Sequence, residues 1–274
     1  MPHTITRISR PRRGALGISL SELWSYRDLL YFFAWKEVKI RYKQTVLGGA
    51  WAVIQPLVTM IVFTLVFGGL VKMPSDGVPY AVFSYSGLIL WTYFSMSLAH
   101  SSGSLLSNAN LLSKIYFPRI LLPLSSCLVG LIDYVIASSI LVVLLVYFHI
   151  SATAWILLVP LPLVLCFLLA SGIGFWLSAA SVKYRDVSYA VPFFVQVLLF
   201  ASPVIYPVSI VSGRYSTLLS LNPLSGIMTN QRAFILGSGA DWGSLAIATI
   251  VTLLVFVLGL MYFQRYEKEF ADVI

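Results

Sequence analysis

Six stretches of this sequence carry no Lys or Arg and share a single carboxylate, Asp133. They run Ala50–Val71, Val82–Ser101, Leu121–Phe148, Ala154–Ala180, Tyr189–Tyr206 and Leu245–Gln264. Each approaches or exceeds the ~20 apolar residues that a helix needs to cross a bilayer. Apolar and polar residues do not alternate within them, and each run is longer than a strand, so all six read as helices. The remaining residues cannot turn these runs into a soluble core. Of 274 residues, 59% are hydrophobic and 10% are charged, with a mean hydropathy of +0.89. An ordinary soluble domain has about 25% charged residues. Too little polar surface remains to cover so much apolar chain, and the same figures exclude a disordered segment. The expected fold class is an all-α integral membrane protein with six transmembrane helices.

The net charge of +8 raises the question of nucleic acid. Its placement answers it. With the N-terminus inside, nine Lys/Arg from Arg7 to Lys43 lie on the cytoplasmic side. Lys114, Arg119, Lys183, Arg185, Arg265 and Lys268 join them, which makes 15 of the 18 cations. Only Lys72, Arg214 and Arg232 fall outside. This bias places both termini in the cytoplasm and accounts for the charge. No nucleic-acid motif accompanies it, so no nucleic-acid partner is expected. The first apolar run begins almost fifty residues into the chain, too late for a cleavable signal peptide. Cys127 and Cys166 both lie inside spans and match neither a disulfide framework nor a metal site.

Two domains are expected: a cytoplasmic basic segment, 1–48, and a six-helix transmembrane domain, 49–274. Within the first, Leu20 to Lys43 reads as an amphipathic interface helix. Leu20, Leu23, Leu30, Ala34 and Val38 fall on one side, and Asp28, Lys36, Lys39 and Lys43 on the other. It is either a topology anchor or a docking element. The segment Gly103–Arg119 fits a short helix ending before Pro118. With the charged loop Ser181–Ser188, it offers handles for a cytoplasmic partner. The outer segment, about 207–244, is long yet largely apolar from Tyr215 to Leu236, and Asn222-Pro223 breaks it. Each half is too short to span, so a re-entrant helix pair is expected between the fifth and sixth spans, as a gate over a path or as a packed external loop.

Missing motifs narrow the function. The chain has no phosphate loop, no zinc-protease or nucleophile-elbow motif, and no close His/Asp/Glu cluster. No catalytic, metal-binding or cofactor-binding residue is therefore assigned. A lone Asp133 is too little for ion-coupled transport, so any uphill movement must draw energy from a separate subunit. Asp133 itself is either functional or a hydrogen-bonding partner for a neighbouring helix. Mid-span aromatics, Trp91, Tyr93 and Phe94 in the second run and Phe193, Phe194 and Phe200 in the fifth, either line a passage suited to sugar rings or simply pack.

Several blocks resemble a known family. They are Arg41-Tyr42-Lys43-Gln44-Thr45-Val46-Leu47-Gly48 with Trp51-Ala52 and Gln55-Pro56-Leu57, then Asn110-Leu111-Leu112-Ser113-Lys114-Ile115-Tyr116-Phe117-Pro118. Lys183-Tyr184-Arg185-Asp186-Val187, Ser202-Pro203-Val204-Ile205-Tyr206-Pro207 and Asn222-Pro223-Leu224 follow in order. Together they resemble the transmembrane subunit of ABC-2-type polysaccharide exporters, which carry O-antigen, teichoic acid or capsule chains. The resemblance implies a homodimeric permease that moves lipid-linked polysaccharide and is served by two nucleotide-binding ATPase subunits, which hold ATP and Mg. It implies docking on the ATPase through Asn110, Lys114, Tyr116, Lys183, Tyr184, Arg185 and Asp186. It also implies an outer gate at Tyr206, Pro207, Asn222, Pro223 and Arg232. An ABC-2 exporter of a drug or lipid, or an ATP-independent membrane enzyme or scramblase, are the alternatives.

Overall fold

The structure is a computed structural model that describes residues 24–43, 48–112, 114–151, 153–184, 186–267 and 270. Leu20, Leu23 and Arg185 lie outside the described residues. Among the described residues there is no strand, and ten α-helices follow one another. They are α1 (Arg27–Lys43), α2 (Trp51–Phe63), α3 (Tyr80–Ser107), α4 (Ala109–Leu112) and α5 (Leu121–Tyr147). Then come α6 (Pro160–Lys183), α7 (Asp186–Ala201), α8 (Arg214–Leu221), α9 (Pro223–Leu236) and α10 (Trp242–Tyr266). Among the described residues, five helical stretches are long and apolar enough to cross a membrane: Gly48–Leu70, Tyr80–Ser107, Leu121–Tyr147, Ala154–Lys183 and Trp242–Tyr266.

The fifth expected span is the exception. Tyr189–Tyr206 was expected to be helical throughout, but α7 starts at Asp186 and stops at Ala201. Its 16 residues rise roughly 24 Å at about 1.5 Å each, short of the ~30 Å hydrocarbon core. The early stop has two causes. Ser202 precedes a proline, which disfavours helical backbone. The carbonyls of Pro203 and Val204 are then taken by the Arg232 guanidinium.

Helix α3 is the hub, with most of its length buried between α2, α5, α6 and α9. Small residues let backbones approach, as in other membrane bundles. A Cβ on Gly259 of α10 would lie 2.0 Å from the Gly172 carbonyl oxygen of α6. Tyr85 donates to the Ala137 carbonyl at 2.9 Å and so ties α3 to α5. At the end away from the basic segments, Trp155 stacks on Phe234 with ring centroids 6.1 Å apart. There Gly237 closes α9 in the left-handed region, φ 74°, pressed against Thr153.

Two apolar centres result. The larger runs along α3, α5, α6 and α9. The smaller gathers Phe33, Leu105, Phe117, Leu121, Phe175 and Phe263 at the basic end. Helix α1 contributes Phe33 to it, and its orientation differs from the amphipathic expectation. The face turned to the bundle carries Phe33, Lys36, Glu37 and Arg41, whereas Tyr31, Phe32 and Trp35 are exposed. The polar groups turn inward because partners wait there: Lys36 donates to Asn108 at 2.9 Å, and Ser125 and Ser126 donate to Glu37 at 3.2 and 3.0 Å. The segment after α3 also differs from a single short helix. α3 runs on to Ser107, α4 is one turn, and residues 115–118 are non-helical.

Candidate functional site

Three constellations carry polar chemistry. At the basic end, Asn110, Lys114, Tyr116, Lys183, Tyr184 and Asp186 are all exposed. Tyr116 is 90% exposed beside a buried Phe117, whose ring lies 5.2 Å from Phe33. The segment is therefore anchored at one residue and open at the next. Lys183 sits over the rings of Tyr184 and Tyr266, at 5.6 and 5.8 Å, so its ammonium is positioned by cation–π contact. Asp186 opens α7, where its charge suits the helix N-terminus. Arg119 is fixed from the other side: its main-chain N–H donates to the Glu267 carboxylate at 2.9 Å.

The second constellation surrounds Asp133. This is no isolated carboxylate in lipid. Arg41 forms an ion pair with it and Tyr42 donates to it. The pair is largely shielded, with side-chain exposures of 22% and 17%. Burial, with the carboxylate that accepts its proton, pushes the Tyr42 phenol up to about 12, so it remains a donor. Burial likewise raises the Glu37 carboxyl above 4.5, against the serine hydroxyls and the nearby Arg41 and Lys36 that lower it. Sequence reasoning separated Asp133 from Arg41-Tyr42. The signal was present, since a membrane carboxylate needs a counter-charge and this basic pair ends just before the first span.

The third lies at the opposite end, where the structure brings Tyr206, Asn222 and Arg232 to one corner between α7, α8 and α9. Asn222 caps α9, accepting from the Leu224 N–H at 3.0 Å, and Pro223 occupies the first helical position. Its amide donates to the Ala201 carbonyl and the Ser202 hydroxyl at 3.2 and 3.1 Å, which holds the end of α7. Tyr206 donates to the Phe200 carbonyl at 3.2 Å, and Pro207 is buried. A cavity of about 450 Å³ opens here, lined by Leu198, Ala201, Tyr206, Tyr215, Leu218 and Asn222. Arg232 is not a free outer cation. It is 6% exposed, donates to the carbonyls of Phe83, Pro203 and Val204, and lies 3.9 Å from the Phe83 ring centroid.

The aromatic set divides. Trp91, Tyr93 and Phe94 are buried in the chain's own bundle, at 7%, 2% and 0% exposure. Phe193, Phe194 and Phe200 on α7 are open, at 63%, 65% and 59%.

Five helices among the described residues, long and apolar enough to cross a membrane, define an integral membrane protein built by helix packing. The chain belongs to the ABC-2 type transporter family, whose profile matches residues 28–236. It is 28% identical over 257 residues to the O-antigen export system permease protein RfbA of Myxococcus xanthus, covering 92% of this chain and 98% of that one. It is 25% identical to the O-antigen export system permease protein RfbA of Klebsiella pneumoniae, covering 90% and 95%. The polysialic acid transport protein KpsM of Escherichia coli is 25% identical, covering 85% and 91%.

Proposed function

We propose that this chain is the channel-forming permease of an ATP-driven exporter that moves lipid-linked polysaccharide from the cytoplasmic to the outer side of a bacterial inner membrane. The observation that carries the reading is its similarity, over nearly its whole length, to permeases named for O-antigen export and polysialic acid transport. The chain itself is not an enzyme. Energy comes from a nucleotide-binding subunit, two copies of which hold ATP and Mg and serve two copies of this chain.

In this reading the basic end is cytoplasmic, with both termini. Asn110, Lys114, Tyr116, Lys183, Tyr184, Arg185 and Asp186 meet the ATPase. α7, with the turn that follows it, makes the sixth crossing, and α8 and α9 re-enter the outer leaflet. The corner of Tyr206, Pro207, Asn222, Pro223 and Arg232 is the outer gate. The open rings of Phe193, Phe194 and Phe200 face the passage between the two copies. They offer sugar rings a smooth surface with few strong binding points, so the polymer slides rather than sticks.

The test is deletion of the gene, with fractionation of glycan. The expected outcome is lipid-linked polysaccharide accumulated inside and absent from the surface, restored by the wild-type gene only with a hydrolysis-competent ATPase that co-purifies with the chain. Unchanged surface polysaccharide in the deletion strain would sink the reading.

A further inference from the structure

Two cavities in this chain meet at a shared wall of Arg41 and His100. The first, about 370 Å³, carries the side chains of Lys36, Glu37, Arg41, His100, Asn108 and Ser126 in its lining. The second, about 270 Å³, runs up between α2, α3 and α5 and is mainly apolar, with Ala52, Ile89, Met96 and Ala137 in its walls. Its polar wall is the Arg41–Asp133–Tyr42 group. Ile40, Trp51 and His100 stand exposed around the mouths. A chamber edged with basic side chains, next to a mainly apolar one at the level of the α1 helix, suits an amphiphile.

Charge selects the head. Lys36 donates to a neutral amide, the Asn108 oxygen, rather than to a carboxylate, with Glu37 in the same lining. The Glu37 carboxylate in the same chamber is engaged by two serine hydroxyls. Four hydrogen-bonding side chains, Ser104, Ser107, Asn108 and Ser126, complete the surround. A lysine ammonium in a partly enclosed polar surround suits phosphate oxygens. A helix with Lys36, Lys39, Arg41 and Lys43 in its second half also draws anionic headgroups.

We propose that this crevice binds one phosphate-bearing lipid per chain, its phosphate against Lys36 and His100 and its apolar chain between α2, α3 and α5. Occupancy would wedge the interface helix against the first spans and link its position to the lipid.

The test uses the full-length protein extracted in mild detergent with any subunit bound to it. Native mass spectrometry counts lipid retained after titration with dioleoylphosphatidylglycerol, a polyprenyl phosphate, or dioleoylglycerol, which has no phosphate. Retention of a phosphate lipid about tenfold above dioleoylglycerol is expected, a difference on the scale of one charged contact. Lys36→Gln, which keeps a donor for Asn108, and Ala52→Phe, which fills the apolar chamber, each abolish that preference while gel filtration stays unchanged. Preference for phosphatidylglycerol identifies a bilayer lipid, and preference for the polyprenyl phosphate identifies a carrier lipid; both support the site. Equal retention of dioleoylglycerol, or unchanged retention in either variant, overturns it. Lipid is counted without any export, so failure here leaves the proposed export function standing.

Discussion

Arg232 holds the carbonyls of Pro203 and Val204, which lie beyond the end of α7 with no helix to satisfy them, and ties them to the Phe83 carbonyl of α3. Its planar fork spans two successive residues of one turn, which an ammonium cannot do. Arg232→Lys keeps the charge yet strands at least one buried acceptor, at about 1–3 kcal/mol. A melting temperature several degrees lower in detergent is expected, with the largest loss at the α7–α9 corner by hydrogen exchange. The Arg41–Asp133 pair obeys a different rule. Removing one partner leaves a buried charge uncompensated, at about 3–5 kcal/mol, whereas removing both leaves none. Arg41→Met and Asp133→Leu should each lower thermal stability more than the double variant does. If the double variant is the least stable of the three, the pair is not acting as a shielded ion pair.

At the scale of elements, the ends of helices do most of the positioning. Asn222→Ala removes an N-cap worth about 1 kcal/mol and also frees the end of α7. The measurement is faster hydrogen exchange in both 223–236 and 196–206, where a cap alone would change only α9. Helix α1 yields a pH prediction. Glu37 has its folded pKa raised above 4.5, so between 4.5 and that raised value the native state holds more proton than the unfolded chain. Stability therefore falls as pH rises through the window. Glu37→Gln keeps an acceptor oxygen for Ser125 and Ser126 without that penalty. Its melting temperature should match wild type near pH 4 and exceed it by pH 8. These elements also mark what could be read in advance. Five of the six runs lie where they are expected, with ends shifted by at most six residues, because lipid demands long apolar helices and little else. The helix break at Asn222-Pro223 was equally legible, since proline ends a helix locally. The end of α7 and the inward face of α1 did not, because each depends on a partner distant in sequence: Arg232 for Pro203, and Asn108 and Ser125 for Lys36 and Glu37.

Across the whole molecule, the two apolar centres are joined by helices whose spacing is set by small residues, and this makes the glycines unequal. In a bilayer the lipid is as apolar as the core, so close packing rather than hydrophobic burial holds helices together. A Cβ on Gly259 meets the Gly172 carbonyl oxygen at 2.0 Å, and one on Gly172 meets the Phe256 Cα at 2.6 Å. Both obstacles are backbone, so relief requires α6 and α10 to move apart along the contact that joins the two centres. At Gly130 the first obstacle is the Ser97 hydroxyl, at 2.9 Å, a side chain that can turn. At Gly103, inside α3, nothing lies within 4 Å. Ala there should gain about 0.5–1 kcal/mol of helix propensity, whereas Gly259→Ala should cost at least the ~1–3 kcal/mol of an overpacked core. The four alanine variants, melted side by side in the same detergent, should order as Gly103 above wild type, Gly130 slightly below, and Gly172 and Gly259 far below. A Gly259→Ala protein as stable as Gly130→Ala would mean that α6 and α10 are held apart by more than the structure places between them.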